Sequence, residues 1–287
     1  MATTPKSPLS FYSEPLLGVD LSELQGKLIV IEGPDAVGRS TQVARLRSWL
    51  EQQGHAVLDT GMARSALAGD GIQKAKEGNT LGPVTMTLFY ATDFADRLEN
   101  EILPALRAGF VVLTDRYIFS LMARAIARGE DRVWLEKLAG FALVPHAVYY
   151  LRAEVQDLVP RVVRGRGRFD FWESGMDMRF GPDMYDSFVR YQARLIKVLD
   201  RMARQYDFVA IDATQSPDAI FAELKRGIGK LFPKSRYVVK TAKPGKAAKS
   251  TAKTLKKAAA AKASSAKKKA APKATGAANG QPIATEA

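Results

Sequence analysis

The sequence predicts a three-layer α/β domain, a parallel β-sheet covered by helices on both faces. Three observations carry this reading. Short apolar runs recur along the chain, helix-period patterns separate them, and the first run enters a glycine turn that opens a helix. Composition narrows the function classes. Cysteine is absent and the only histidines are His55 and His146, which excludes disulfides, thiolate metal centres and multi-histidine sites. No run approaches the ~18 apolar residues of a membrane span, and residues 1–14 lack the apolar core of a signal peptide, so a soluble cytoplasmic protein is expected.

The elements follow in order. Residues 1–25 form an extension, with Phe11, Tyr12, Leu16 and Leu17 expected to pack back on the domain. The run 27–32 reads as a buried parallel strand. A helix starts at about Arg39, carries Val43, Leu46, Trp49 and Leu50 on its apolar side, and meets Gly54 where a C-terminal cap belongs. Residues 56–58 give the second strand. Residues 61–82 hold five glycines and little periodicity, which predicts a loop with a short helix. A long helix is expected over 84–107, bent at Pro104, before a third strand that ends at Asp115. Strands at 147–151 and 208–211, with a helix over 186–205 between them, complete one domain over 26–232.

The net charge of +13 belongs to the last segment. Residues 234–287 hold thirteen lysines and one arginine against a single acid, which leaves 29 basic and 29 acidic residues upstream. Residues 233–287 lack the large apolar side chains needed to offset the entropy of ordering, so a disordered basic tail is expected. Such a tail suits weak, sequence-independent contact with nucleic acid.

Gly33, Pro34, Asp35, Ala36, Val37, Gly38, Arg39, Ser40 and Thr41 stand between the first strand and the first helix. Their spacing is that of a Walker A phosphate-binding loop, with Arg39 in the lysine position. The glycines let backbone N–H groups turn toward a phosphate, and the helix N-terminus adds a positive dipole end. Ser40 would supply a hydroxyl to Mg²⁺, and Arg39 would meet the β- and γ-phosphates of a nucleotide such as ATP. This makes the domain a P-loop NTPase fold in expectation. Asp115 and Arg116 follow the third strand, placed to bind Mg²⁺ through water and to face a phosphate. Arg161, Arg164, Arg166 and Arg168 alternate with Gly165 and Gly167. Mobile glycines and clamping arginines suit a catalytic lid over a transferring phosphoryl group.

These elements, in that order, resemble thymidylate kinase over most of residues 26–232. The opening strand with Gly33, Asp35, Ser40 and Thr41, the Asp115-Arg116-Tyr117 triplet with Ser120, the arginine lid and the closing strand carry the likeness. The resemblance implies MgATP as donor, dTMP as acceptor and a homodimer. It assigns Asp35 to the acceptor's sugar hydroxyl and sets Tyr90 against its base. Departures gather at the acceptor. The Glu-Pro-Gly-Gly loop after the second strand is missing, and the family's Asp-Arg pair becomes Asp93-Phe94, with Arg64 and Arg97 standing as replacements. Arg124-Ala125 replaces the Tyr-Gln that meets thymine. Two alternatives stay open: a P-loop kinase with a different phosphate-bearing acceptor, and a degenerate nucleotide-binding module tethered to nucleic acid by its tail.

Overall fold

The apolar run that opens the domain has no solvent-facing side. Leu28, Ile29, Val30 and Ile31 are all fully buried. In the computed structural model, which describes residues 9–78 and 81–232, this run is β1 (Lys27–Glu32), flanked on both edges by neighbouring strands. Successive strand side chains point to opposite faces, so each strand feeds two cores. Leu28 and Val30 join one apolar cluster, and Ile29 and Ile31 join the other. Val112, Val148 and Tyr150 pack with the first pair; Leu113, Tyr149 and Leu151 pack with the second.

Five parallel strands lie in the order β2-β3-β1-β4-β5, with β2 (Val57–Gly61), β3 (Val111–Asp115), β4 (Ala147–Arg152) and β5 (Val209–Asp212). Helices α1 (Arg39–Gln52), α7 (Val155–Arg166) and α9 (Pro217–Gly229) bury apolar residues on one face. The other face takes α3 (Pro83–Arg97) and α5 (Ile118–Ala127), while α8 (Met184–Gln205) sends Phe188 and Ile196 to one cluster and Tyr191 and Leu195 to the other. Helices α2 (Gly69–Gly78), α4 (Leu103–Arg107) and α6 (Arg132–Leu138) complete the set. No helix among the described residues is long and apolar enough to cross a membrane.

The short helix expected within 61–82 is the ten-residue α2. Three expectations change. The single helix expected over 84–107 is three segments, because Pro104 has no N–H and its ring excludes the carbonyl four residues back. A π-turn, Leu98–Ile102, absorbs the mismatch, and the Leu103 N–H reaches the Leu98 carbonyl. The arginine and glycine segment expected to be mobile is helical through Arg166. A capping box of Glu154 and Asp157 starts that helix, and Gly167 ends it with φ +68°. Within the extension, Phe11, Tyr12 and Leu16 do pack on the core, but Leu17 is fully exposed. Backbone hydrogen bonds tie Tyr12 and Ser13 to Ala142 and Gly140, so this stretch straps α6 and the turn behind it. The basic tail, residues 1–8 and residues 79–80 lie outside the described residues.

Candidate active site

Parallel register sets the site. Ile31 pairs with Asp115, so the loop leaving β1 and the Asp115-Arg116 pair leaving β3 emerge side by side at one sheet edge. Gly33 has φ +153°, and a Cβ there would sit 2.7 Å from the Leu151 carbonyl oxygen, so glycine is required. Gly38, at φ +100°, caps α1 without a side-chain hydrogen bond, which leaves the first-turn N–H groups of the helix open. They border a cavity of about 380 Å³ lined by residues 35–41, Arg116, Arg161, Gly165, Arg166 and Glu173.

Arg39 borders this cavity but turns its guanidinium under the loop. Nη1 donates to the carbonyls of Gly33, at 2.6 Å, and Pro34, while Nε donates to Asp115 Oδ1 at 2.8 Å. The other Asp115 oxygen accepts from Ser40 Oγ at 3.1 Å. Burial pushes the Asp115 carboxyl up, but Arg39 and Arg116 outweigh it and hold it below the ordinary range. Arg116 has φ +71°, a costly conformation for a non-glycine residue. The Thr114 hydroxyl donates to its carbonyl at 2.7 Å and its N–H reaches Ile31. Burial, followed by the charge of Arg39, lowers the Arg116 pKa to about 10.

Asp35 is the hub of the site. It is almost wholly buried and takes Arg116 and Arg124, the latter from α5 at 2.7 Å, on one oxygen. Gln192 Nε2 donates to the other at 3.0 Å. Burial raises its pKa, but Arg124, Arg116 and Arg39 prevail and keep it well below the carboxylate range. The expected sugar-binding carboxylate therefore already holds two cations.

Sequence reasoning passed over Glu32, Gln192, Arg128, Trp172 and Glu173. Glu32 ends β1 fully buried and accepts from the Tyr117 N–H at 2.8 Å, the Ser120 N–H at 3.3 Å and Ser120 Oγ at 2.6 Å. It thus caps α5, whose own N-cap residue, Tyr117, makes no side-chain capping bond. A charged residue closing an apolar strand was the signal that could have found it.

Tyr90 lines a separate cavity of about 20 Å³, too small for a nucleobase, with Met86, Arg124, Arg128 and Trp172 among its walls. The Asp35–Arg124 pair stands between this cavity and the phosphate cavity. Trp172 is anchored by its indole N–H to the Lys76 carbonyl at 2.8 Å, and Arg128 is spent on Asp177, Tyr191 and the Trp172 carbonyl. The two arginines expected to replace the lost acceptor arginine are engaged elsewhere. Arg97 is buried against Asp93 at 3.0 Å, and Arg64 pairs with Asp59.

The arginines of α7 and the turn that follows it divide. Arg161 braces the P-loop, donating to the carbonyls of Val37 at 3.0 Å and Ala213 at 2.6 Å. Arg166 enters the phosphate cavity and pairs with Glu173 at 2.8 Å. Arg164 and Arg168 are exposed and do not line it. A second cavity of about 310 Å³ shares Ala36, Val37, Gly38, Thr41 and Arg161 with the first and runs to Gln215, Pro217 and Ile220.

The thymidylate kinase family model matches residues 31–224, which take in the P-loop, the cavities and every strand but the first four residues of β1. The chain belongs to the thymidylate kinase family. Thymidylate kinases are nucleoside-monophosphate kinases, and this chain is a phosphotransferase of that class. It is 32% identical to a probable thymidylate kinase 2 of Saccharolobus solfataricus over 74% of this chain and 100% of that one. It is 36% identical to a thymidylate kinase of Clavibacter michiganensis over 53% of this chain and 74% of that one. A probable thymidylate kinase of Thermococcus kodakarensis shares 32% identity over 50% and 74%.

Proposed function

We propose that this thymidylate kinase relative transfers the γ-phosphoryl group of ATP to dTMP, giving dTDP and ADP. One observation carries the reading: a phosphate-sized cavity bounded by an open helix N-terminus, Ser40 beside Asp115, Arg116 and Arg166, and separated from the Tyr90 pocket by a single ion pair. The donor phosphates lie on the loop N–H groups, and the neighbouring cavity that runs to Gln215 and Pro217 accommodates the nucleoside. An exposed hydroxyl 3.1 Å from a carboxylate held in its charged form is a donor set that fits Mg²⁺. Bound there by Ser40 and, through water, Asp115, the ion would supply charge neutralisation on the phosphates. Arg116 orients the acceptor phosphate, Arg166 meets charge on the transferring group, and Arg164 and Arg168 reach it when the C-terminal end of α7 and the turn after it close. Arg39 holds the loop in shape and sets the Asp115 carboxylate. Once Arg124 yields and the Tyr90 cavity widens, Tyr90 stacks on the acceptor base and Asp35 takes the sugar hydroxyl.

Arg124 beside Asp35, together with Phe94 where the family carries arginine, favours a second reading in which another nucleoside monophosphate is the better acceptor. ADP release measured with MgATP against dTMP, dUMP, dCMP, dGMP and dAMP separates the two. dTMP should give the highest kcat/KM. Turnover highest on another acceptor transfers the assignment to it, and no turnover with any of them leaves a nucleotide-binding module. The kinase domain spans 26–232, acts in the cytoplasm as a homodimer, and carries its basic tail as a separate polyanion-binding segment.

A further inference from the structure

Gln192 lies mid-way along α8 with its entire side chain buried. A buried amide is costly unless its polar atoms are matched, and here they are matched to two segments far apart in the chain. Nε2 donates to Asp35 Oδ2 at 3.0 Å and to the Glu173 carbonyl oxygen at 2.8 Å, while Oε1 accepts from the Asp35 N–H at 3.4 Å. Asp35 belongs to the P-loop. Glu173 belongs to the arm that joins α7 to α8, where its own N–H is fixed by Asp170 at 3.0 Å. The Glu173 carboxylate then receives Arg166 Nη1 at 2.8 Å. One side chain thus ties the carboxylate beneath the P-loop to the residue that holds the lid arginine over the phosphate cavity.

We propose that Gln192 is a positioning residue, fixing Arg166 relative to the P-loop through Glu173. This rests on the reading of Arg166 as the group that meets the transferring phosphoryl. Gln192 touches no substrate; it acts by holding two catalytic segments at a set separation, where small displacements are expensive in rate. A residue that only fills space in the core would affect folding without affecting what Arg166 does.

The test uses the full chain. Gln192→Met keeps volume and removes both donors. With MgATP and dTMP, kcat should fall about 10- to 100-fold while KM for ATP stays within about threefold. In an Arg166→Ala background the same change should cost nothing more. Gln192→Glu keeps the shape and loses the donor when ionised, so its rate relative to the parent should recover as pH falls and the new carboxyl regains a proton. A second readout needs no turnover: without nucleotide, trypsin should cut after the arginines at 161–168 faster in Gln192→Met than in the parent. An unchanged kcat in folded variants, rate losses that multiply with Arg166→Ala, or unchanged cleavage would each overturn the proposal. Should the parent fail to phosphorylate dTMP, the functional reading falls, and the cleavage rates alone decide the coupling.

Discussion

Arg39 occupies the position that a lysine holds in most loops of this kind, and its planar fork spans three oxygens in fixed directions. Removing it leaves Asp115 buried without its closest cation. Arg39→Ala should therefore cost ~3–5 kcal/mol of stability and about 10²-fold or more in kcat. Arg39→Lys, which keeps the charge, should hold activity within about tenfold. Thermal melts beside steady-state kinetics read both effects. His146 makes a different prediction. Its Nδ1 accepts from the Leu28 N–H at 3.1 Å and its Nε2 is buried without a partner. Burial, then the charge of Lys27, lowers its pKa to about 4. The unfolded chain binds this proton near pH 6.5, so the folded state is favoured above that value and loses stability as pH falls from 6.5 toward 4. With partial exposure discounted, the loss is about 1–2 kcal/mol. Urea midpoints at pH 7 and pH 5 should show it, and His146→Gln should flatten the difference.

Asp93 governs how elements meet. From α3 it accepts the N–H groups of Ala63, at 3.0 Å, and Ser65, at 2.8 Å, and pairs with Arg97 one turn away. It pins the loop after β2 to α3, and both charges are buried. Asp93→Ala should destabilise the chain by ~3–5 kcal/mol, since it strands Arg97 and two backbone donors together. Chemical denaturation checks the figure. At this scale the sequence was legible where periodicity was strong. Leu46 and Leu50 placed α1, and the apolar run 110–114 reads as the buried strand that the fold carries at Val111–Asp115. It was misleading where glycine was weighed alone. Gly165 costs α7 about 0.5–1 kcal/mol of helix propensity, but burial of Leu158 and Val162 exceeds that, so the helix continues.

The whole chain divides its charge sharply, with 29 basic and 29 acidic residues before Lys234 and a net +13 after Pro233. Truncation after Pro233 should leave kinase activity on small nucleotides intact and abolish most salt-sensitive binding to DNA or RNA. Filter binding at two salt concentrations and the ADP assay on the same preparation measure both. Polyanion affinity that survives truncation would place a basic face on the folded domain. Alternating burial faces and the strand-turn-helix around Gly33 follow from the sequence alone. Each rests on spacing between near neighbours, and spacing is what a sequence records. Tertiary structure decided the rest. Asp35 meets Arg124 across 89 residues and Gln192 across 157, and Glu32 caps a helix 85 residues on. No local pattern encodes such pairs. They form because parallel register and the packing of α5 and α8 bring buried polar groups together, and an unmatched group there would cost too much to keep.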